Sequence, residues 1–571
     1  MSPIATSEKP KKPPALVASC AILSQTGPRV PVASKKNQTC TTTPVPRGRP
    51  RKNPLPACSA LSPLRPRPRA RPQPSPPLPT PPPQQPVYKT SPSCPELTPE
   101  FVAHCFEAIQ FTTQYNHPLI SRTSIKMDIR AVSFQLHRLP PQSRVLALCI
   151  ICCAALTSFH PSVLGDGPRP ESFTDANFFL SPADFLPCGV RRAKAYRALR
   201  IEALKAAWEI GIILQPSDEN AASCYLLDLL EQYDFVGVSR PWGNAYMSHV
   251  RALAPIWRAA NAYTISEGVH WIGYLMGDAL LSTRNRTPML VTTNDQLLLC
   301  GPPPPSLEDL IASLSKSTSI PTLWTSLSSY LYHVVDLSRQ LSENIAGDYA
   351  RLSPLSENAV LNFLSSLSMM HSVLCLLLGH LDQVLATTPN ADDSSLIPED
   401  TARTCAYGAI FGFIGLIFPF YRELEYRETN DAQTQRHTYN RPSFLWAQAY
   451  DMVLLGVQEM ARAFRYLPKV HYTPVHWNTV YAWAEFCAKE IESGAPISHE
   501  FMRDTQTIVN ELKLMGYSLE AASAPQSVAL IERLERHVSR TFVDMFLPPE
   551  MPLEGTWMGG PLLNGPMIFA C

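Results

Sequence analysis

Apolar positions recur at three- and four-residue steps along most of the chain, and this helical period begins near residue 96. The phrase "CPELTPEFVAHCF" opens it: Thr98 can cap a helix, Pro99 suits its first position, and Glu100 complements its dipole. The clearest stretch is Arg191–Leu214, where Tyr196, Leu199, Ala203, Ala207, Ile210 and Leu214 share one face. Ser217, followed by Asp218 and Glu219, marks the next helix start. Ser306 and Asp309 stand at capping-box spacing before another. Alternating strand patterns are nearly absent, so residues 96–545 are predicted to form an all-α body, either one large domain or two interleaved ones. Loops are predicted at Gly165–Ser181, Thr283–Ser306, Thr388–Pro398 and Glu423–Pro442, and the Gly/Pro-rich end, 546–571, is predicted to be irregular.

Two continuous apolar runs, Val145–Phe159 and Ala406–Tyr421, interrupt the periodic pattern. Both are shorter than the roughly 20 residues that cross a bilayer, so each is predicted to be a buried helix and no membrane partner is expected. Gly408 and Gly412 lie at GxxxG spacing in the second run, which suits close helix packing in a soluble core as well as in lipid.

Charge and composition divide the chain. Through Pro95 there are seven lysines and eight arginines against one acid, Glu8, a net +14; the rest therefore holds −13 of the total +1. Of the 57 prolines, 25 fall before residue 96, and their fixed φ and missing donors prevent helix or sheet from propagating. Few apolar groups are available there to offset the entropy of ordering. Residues 1–95 are thus predicted to be a disordered basic arm, and a basic arm on an acidic body points to a polyanionic partner. The start, "MSPIATSEKPKKPP", has no apolar segment of a secretory signal, and the 15 cysteines are scattered, so no disulfide framework is expected.

Within the arm, "PVPRGRPRKNP" admits three readings: a solvated charge run, a nuclear localisation signal, or a groove-binding element. The order Arg47-Gly48-Arg49-Pro50, followed by Arg51-Lys52, resembles the AT-hook, a short minor-groove DNA-binding motif spanning 46–53 here. The minor groove is only about 6 Å wide and carries its deepest negative potential in A-tracts. Gly48 lets the backbone approach the groove floor, and Pro50 keeps the chain extended and slim. Arg47 and Arg49 run along the floor, while Arg51 and Lys52 reach phosphates. Neutralising about four phosphates implies a salt slope near −3.6. "RPRPRARP" has alternate arginines but no glycine, so it reads as phosphate-contacting charge. "PSPPLPTPPPQQP" reads as a stiff spacer or as a ligand for proline-recognising domains.

Three phrases in the body carry a wider likeness. "LKAAWEIGIILQPSDENAASCYLLDLLEQ" is followed by "SRPWGNAYMSHVRALAP" and then by "TPMLVTTNDQLLLCGPPPPSLEDLI". In this order they resemble the helical regulatory region of fungal-specific transcription factors, over about residues 170–310. The resemblance implies an all-α regulatory module, nuclear location and control of transcription, sometimes with an effector bound among the helices. That group's DNA-binding module holds zinc through six cysteines, whereas the arm has only Cys20, Cys40, Cys58 and Cys94, none in a CxxC. The one CxxC, Cys149 to Cys152, lies in an apolar run and reads as core. No metal and no cofactor is therefore expected, and the AT-hook takes over DNA contact.

The remaining candidates read more simply. Arg191, Arg192, Lys194, Arg197 and Arg200 in "RRAKAYRALR" suit phosphates or, more commonly, a solvated face. Trp208 and Trp242 read as core aromatics. Neither the pair His371 and His380 nor the pair His471 and His476 has metal-ligand spacing with a third partner. HExxH, GxSxG, Walker and GxGxxG motifs are missing, so no catalytic residue is assigned and the chain is not expected to be an enzyme. The expected partners are AT-rich double-stranded DNA and the transcription machinery or co-regulators, with homodimerisation as one route to site choice. Two alternatives stand beside this reading: a helical interaction scaffold whose arm only directs nuclear import, and a membrane-associated helical protein.

Overall fold

The computed structural model of the chain describes residues 94–546, except 174, 180–184, 233–239, 261–264, 317–318, 388–398, 434–440, 467–473 and 495–496. Helices make up 81% of it, with no strand among the described residues, so the chain adopts the all-α class that its apolar spacing predicts. Arg47, Gly48, Arg49, Pro50, Arg51 and Lys52 lie outside the described residues, as does the predicted irregular end from 547 onward.

The first helix, α1 (Pro99–Ala108), starts as expected: the Thr98 hydroxyl accepts the Phe101 N–H at 3.3 Å. Next comes α2 (Pro141–Ala154), whose residues from Val145 to Ala154 are all buried. An apolar helix without a polar face has to be surrounded, and α1, α3 (Leu186–Ile210) and α4 (Asp218–Glu231) pack around it. Cys149 and Cys152 are fully buried here, and burial pushes both thiols far above their ordinary range, in keeping with the core reading. The described cysteines are all free.

On α3 the expected face is only partly inward. Tyr196, Leu199, Ala203 and Ala207 are buried, but Gly211 takes a left-handed φ of 68° and ends the helix, leaving Leu214 81% exposed. Trp208, expected in the core, is 58% exposed and lies against buried Trp242 at 4.9 Å. The basic stretch differs from a solvated face as well. Arg192 is 1% exposed and donates to the carbonyls of Ala155, Ser158 and Tyr517 while lying 4.5 Å over the Tyr517 ring. Arg191 caps the turn carbonyl of Asp166 at 2.9 Å, and Arg197 pairs with Glu520. Arg192 and Arg197 thereby clamp the C-terminal segment onto the N-terminal helices.

Ser217 caps α4 as predicted, accepting the Asn220 N–H at 3.1 Å. Beyond it follow α5 (Pro241–Ala259), α6 (Ile265–Asn285), α7 (Thr293–Cys300), α8 (Leu307–Lys316), α9 (Ile320–Leu341) and α10 (Glu357–Thr387). The long α11 (Glu399–Gln433), α12 (Arg441–Ala463), α13 (Pro474–Glu492), α14 (His499–Met515) and α15 (Pro525–Phe546) complete the body. Three of the predicted loops contain helix, Gly165–Ser181 only the short turn Ala176–Phe179, and Thr388–Pro398 lies outside the described residues. Inside Thr283–Ser306, the reciprocal pairing of Thr292 with Asp295 starts α7. Across Glu423–Pro442, α11 continues to Gln433 because its charges find partners: Glu423 with Arg427, and Arg422 with Glu425.

That continuation also changes the arithmetic of the second apolar run. Two helices, 357–386 and 399–429, are long and apolar enough to cross a membrane by length and composition. The outward side of α10 carries Asn362, Ser365, Ser368 and Ser372 together with exposed Leu361 and Cys375. Of the GxxxG pair, Gly412 supports close packing, since a Cβ there would meet the Met276 sulfur at 3.0 Å and Val334 at 3.1 Å. Gly408 does not, because a Cβ there would meet nothing within 4 Å.

Candidate functional site

Helices α6, α9, α11 and α13 leave a cavity of about 2000 Å³ between them. Missing side chains create the space. Gly273 and Gly277 on α6 and Gly408 on α11 line it, and a Cβ on any of the three would reach no atom within 4 Å. Apolar walls come from residues such as Leu280, Leu331, Ile414 and Phe418, and the run Pro302–Pro305 forms part of the lining. The volume exceeds the roughly 300–1,000 Å³ of most small-molecule sites.

Not every glycine is spare space. Gly456 on α12 lies against the buried Trp483 ring, where a Cβ would come within 2.4 Å of a ring carbon. The two kinds of position should respond oppositely to alanine. Gly277→Ala is expected to stabilise by about 0.4–1 kcal/mol, since it removes backbone freedom from the unfolded chain at no steric cost. Gly456→Ala is expected to destabilise by about 1–3 kcal/mol through overpacking. Urea denaturation midpoints of the two variants check both signs.

Charged groups enter or adjoin the cavity wall at several places, three of which form networks. At the first, Arg240 bridges two aspartates: Nε and Nη2 donate to Asp228 at 3.2 and 2.5 Å, and Nη1 donates to Asp278 at 2.5 Å. Burial alone would lower the Arg240 pKa, but Asp278 and then Asp228 outweigh it and raise it. Burial pushes the Asp278 carboxyl up, and Arg240 offsets this only in part. Two carboxyl groups thus share one guanidinium.

At the second place, Arg284 donates to the Thr479 hydroxyl at 3.3 Å, and burial lowers its pKa to about 10. Beside it His476 is lowered to about 4, by burial first and then by the Arg284 charge, so its imidazole is neutral at pH 7. The ring stands edge-on to Phe411 at 4.7 Å.

The third place has the opposite balance. Glu423 is fully buried and receives Arg351 through both carboxylate oxygens and Arg427 at 2.9 Å, while the Arg286 guanidinium stands 3.8 Å away. Burial and then the Arg351 charge lower the Arg286 pKa, as expected where three guanidiniums share one carboxylate. Arg286 and Tyr426 line the cavity here. The site therefore has apolar walls with charged side chains of both signs set into them, Arg258, Asp400, Arg422 and Glu425 among them. Such a surface suits a large, mostly apolar molecule that also carries polar groups.

None of these residues was singled out for chemistry by sequence motif, except that His476 was weighed as a metal ligand and set aside. The readable signal was the glycines inside α6 and α11, each costing about 1 kcal/mol relative to alanine and so needing a reason. His371 stands outside the cavity, and the structure does not pair it with His380. His471 falls outside the described residues.

These observations define the class: an all-α body built around a large, mostly apolar cavity with charged side chains in its wall. The chain matches no family model, no curated protein and no solved structure.

Proposed function

We propose that the chain is a nuclear DNA-binding transcriptional regulator. Arg47, Gly48, Arg49 and Pro50 enter the minor groove of AT-rich DNA, Arg51 and Lys52 hold phosphates, and the helical body is a regulatory domain that takes an effector in its cavity. The observation that carries the reading is the order Arg-Gly-Arg-Pro inside an arm of charge +14. The cavity and the resemblance of residues 170–310 to fungal transcriptional regulators support the regulatory role. The AT-hook reads groove width, so co-regulators or a second copy supply the remaining site choice.

Fluorescence anisotropy of the full chain with an AT-tract duplex and a GC duplex, across salt, tests the proposal. The expected result is an AT preference that Arg49→Ala lowers by about tenfold or more, the scale of a lost base contact. Equal, steeply salt-dependent binding to both duplexes, unchanged in the variant, would reduce the arm to generic charge. It would then favour the helical scaffold with an imported arm.

A further inference from the structure

We propose that His371, Cys375 and Glu459 form a zinc site on the outer side of the helical body. His371 and Cys375 are one turn apart on α10, so they share a face. Glu459 comes from α12, and its Oε1 lies 3.1 Å from His371 Nε2. The Cys375 sulfur is 3.5 Å from the same nitrogen. All three ligand atoms lie within 4.8 Å of one another.

These separations approach what zinc needs. Tetrahedral bonds of roughly 2.0–2.3 Å place neighbouring ligand atoms about 3.3–3.8 Å apart. Two of the edges are already within a few tenths of an ångström of that range, and the exposed Cys375 side chain is free to rotate and close the third. Imidazole, thiolate and carboxylate together suit a borderline-soft divalent ion better than magnesium or calcium, which prefer all-oxygen sites.

A second observation points to a missing ligand. Glu459 is 7% exposed, and its Oε2 is buried without a hydrogen-bond partner. The Arg462 Nη1 stands 4.0 Å from that oxygen, while Arg462 Nη2 is turned to Asp382 at 3.3 Å. A buried carboxylate with one unsatisfied oxygen is costly; a cation held opposite His371 through Oε1 offsets the charge, and binding through both oxygens satisfies Oε2 as well. The His371 ring is held in position by Phe413, stacked at 5.3 Å. Cys375 is exposed, which opens a path for the ion and leaves a fourth position to water or another ligand. On binding, the thiol proton passes to solvent and sulfur coordinates as thiolate.

The ordinary alternative is a His–Glu hydrogen bond with a cysteine nearby, and it makes different predictions. The full-length chain would be titrated with zinc against a chromophoric chelator, and with cobalt to read thiolate coordination by absorbance. Cys375→Ser is the main variant, because an exposed side chain can be changed without disturbing the core; Glu459→Gln is the second. The expected result is one more equivalent of zinc in the wild type than in Cys375→Ser, with the cobalt–thiolate band lost in that variant. Zinc is also expected to slow alkylation of Cys375 at least tenfold, read by peptide mass spectrometry. Equal stoichiometry in wild type and Cys375→Ser, or alkylation of Cys375 indifferent to zinc, would overturn the site. DNA binding plays no part in these readouts, so the outcome is independent of the proposed function.

Discussion

Glu423→Ala is expected to cost the fold roughly 3–5 kcal/mol, the loss typical of removing one partner from a buried ionic network. The carboxylate is fully buried, and it is the shared anion of Arg286, Arg351 and Arg427. Arg427 cannot swing out to solvent once its partner is gone. Its other nitrogens donate to the carbonyls of Ser353, Ile345 and Ala350, holding the short segment 342–353 against α11. Arg351 is held over the Tyr426 ring at 4.1 Å. The variant therefore leaves up to three positive charges in a partly dehydrated place where Asp348 is the nearby opposite charge that remains. Glu423→Gln keeps an acceptor for one guanidinium but no charge, and should fall between wild type and alanine. Lys205→Ala supplies the exposed comparison, since Lys205 and Glu209 form a solvated pair 3.9 Å apart. That change is expected to move stability by less than about 1 kcal/mol. Urea denaturation of the three variants orders them, and a Glu423→Ala loss as small as that of Lys205→Ala would show that the network contributes nothing.

The same residue shows why parts of the molecule were readable and others were not. Local signals were legible: the Thr98 and Ser217 caps, the buried run at Val145–Ala154 and the placing of Trp242 all follow from near neighbours in sequence. "ELEYRETNDAQ" reads as a loop because it is polar, yet the helix continues to Gln433 by pairing charges within α11 and with Arg351 and Lys489. Arg192 reads as a surface cation, and only the fold brings the Tyr517 carbonyl to it. The Thr292–Asp295 capping box was visible but lay beside a proline run that suggested a loop. The cavity consists of absent side chains, and Gly408 is indistinguishable in sequence from Gly412, which packs tightly. His371 and Cys375 are adjacent turns of one helix, but Glu459 joins them only through the packing of α12. Residues whose role depends on distant segments carry no local mark.

Arg240→Met is expected to produce a loss of similar size whose dependence on pH identifies its cause. Methionine approximates the length of the side chain but removes the cation that bridges Asp228 and Asp278, both of which are at most 11% exposed. Two neighbouring buried carboxylates without a counter-charge should lower stability by about 3–5 kcal/mol near neutral pH. In the intact protein burial already raises the Asp278 pKa against the opposing pull of Arg240. Without Arg240 it must rise further, so the folded state holds a proton that the unfolded chain has released. Stability then falls as pH rises through that window and is recovered as pH falls, because protonation removes the repulsion. His476, lowered to about 4, acts in the opposite sense: the unfolded chain takes up its proton first, and acid destabilises the fold. That contribution is common to wild type and variant and cancels in their difference. Urea denaturation of both proteins at about pH 7.5 and about pH 5.5 should therefore show a smaller gap at the lower pH. Asp278→Asn in the Arg240→Met background should restore part of the stability at the higher pH by removing one of the two charges. An equal gap at both pH values, with no gain from Asp278→Asn, would mean that Arg240 contributes through packing alone.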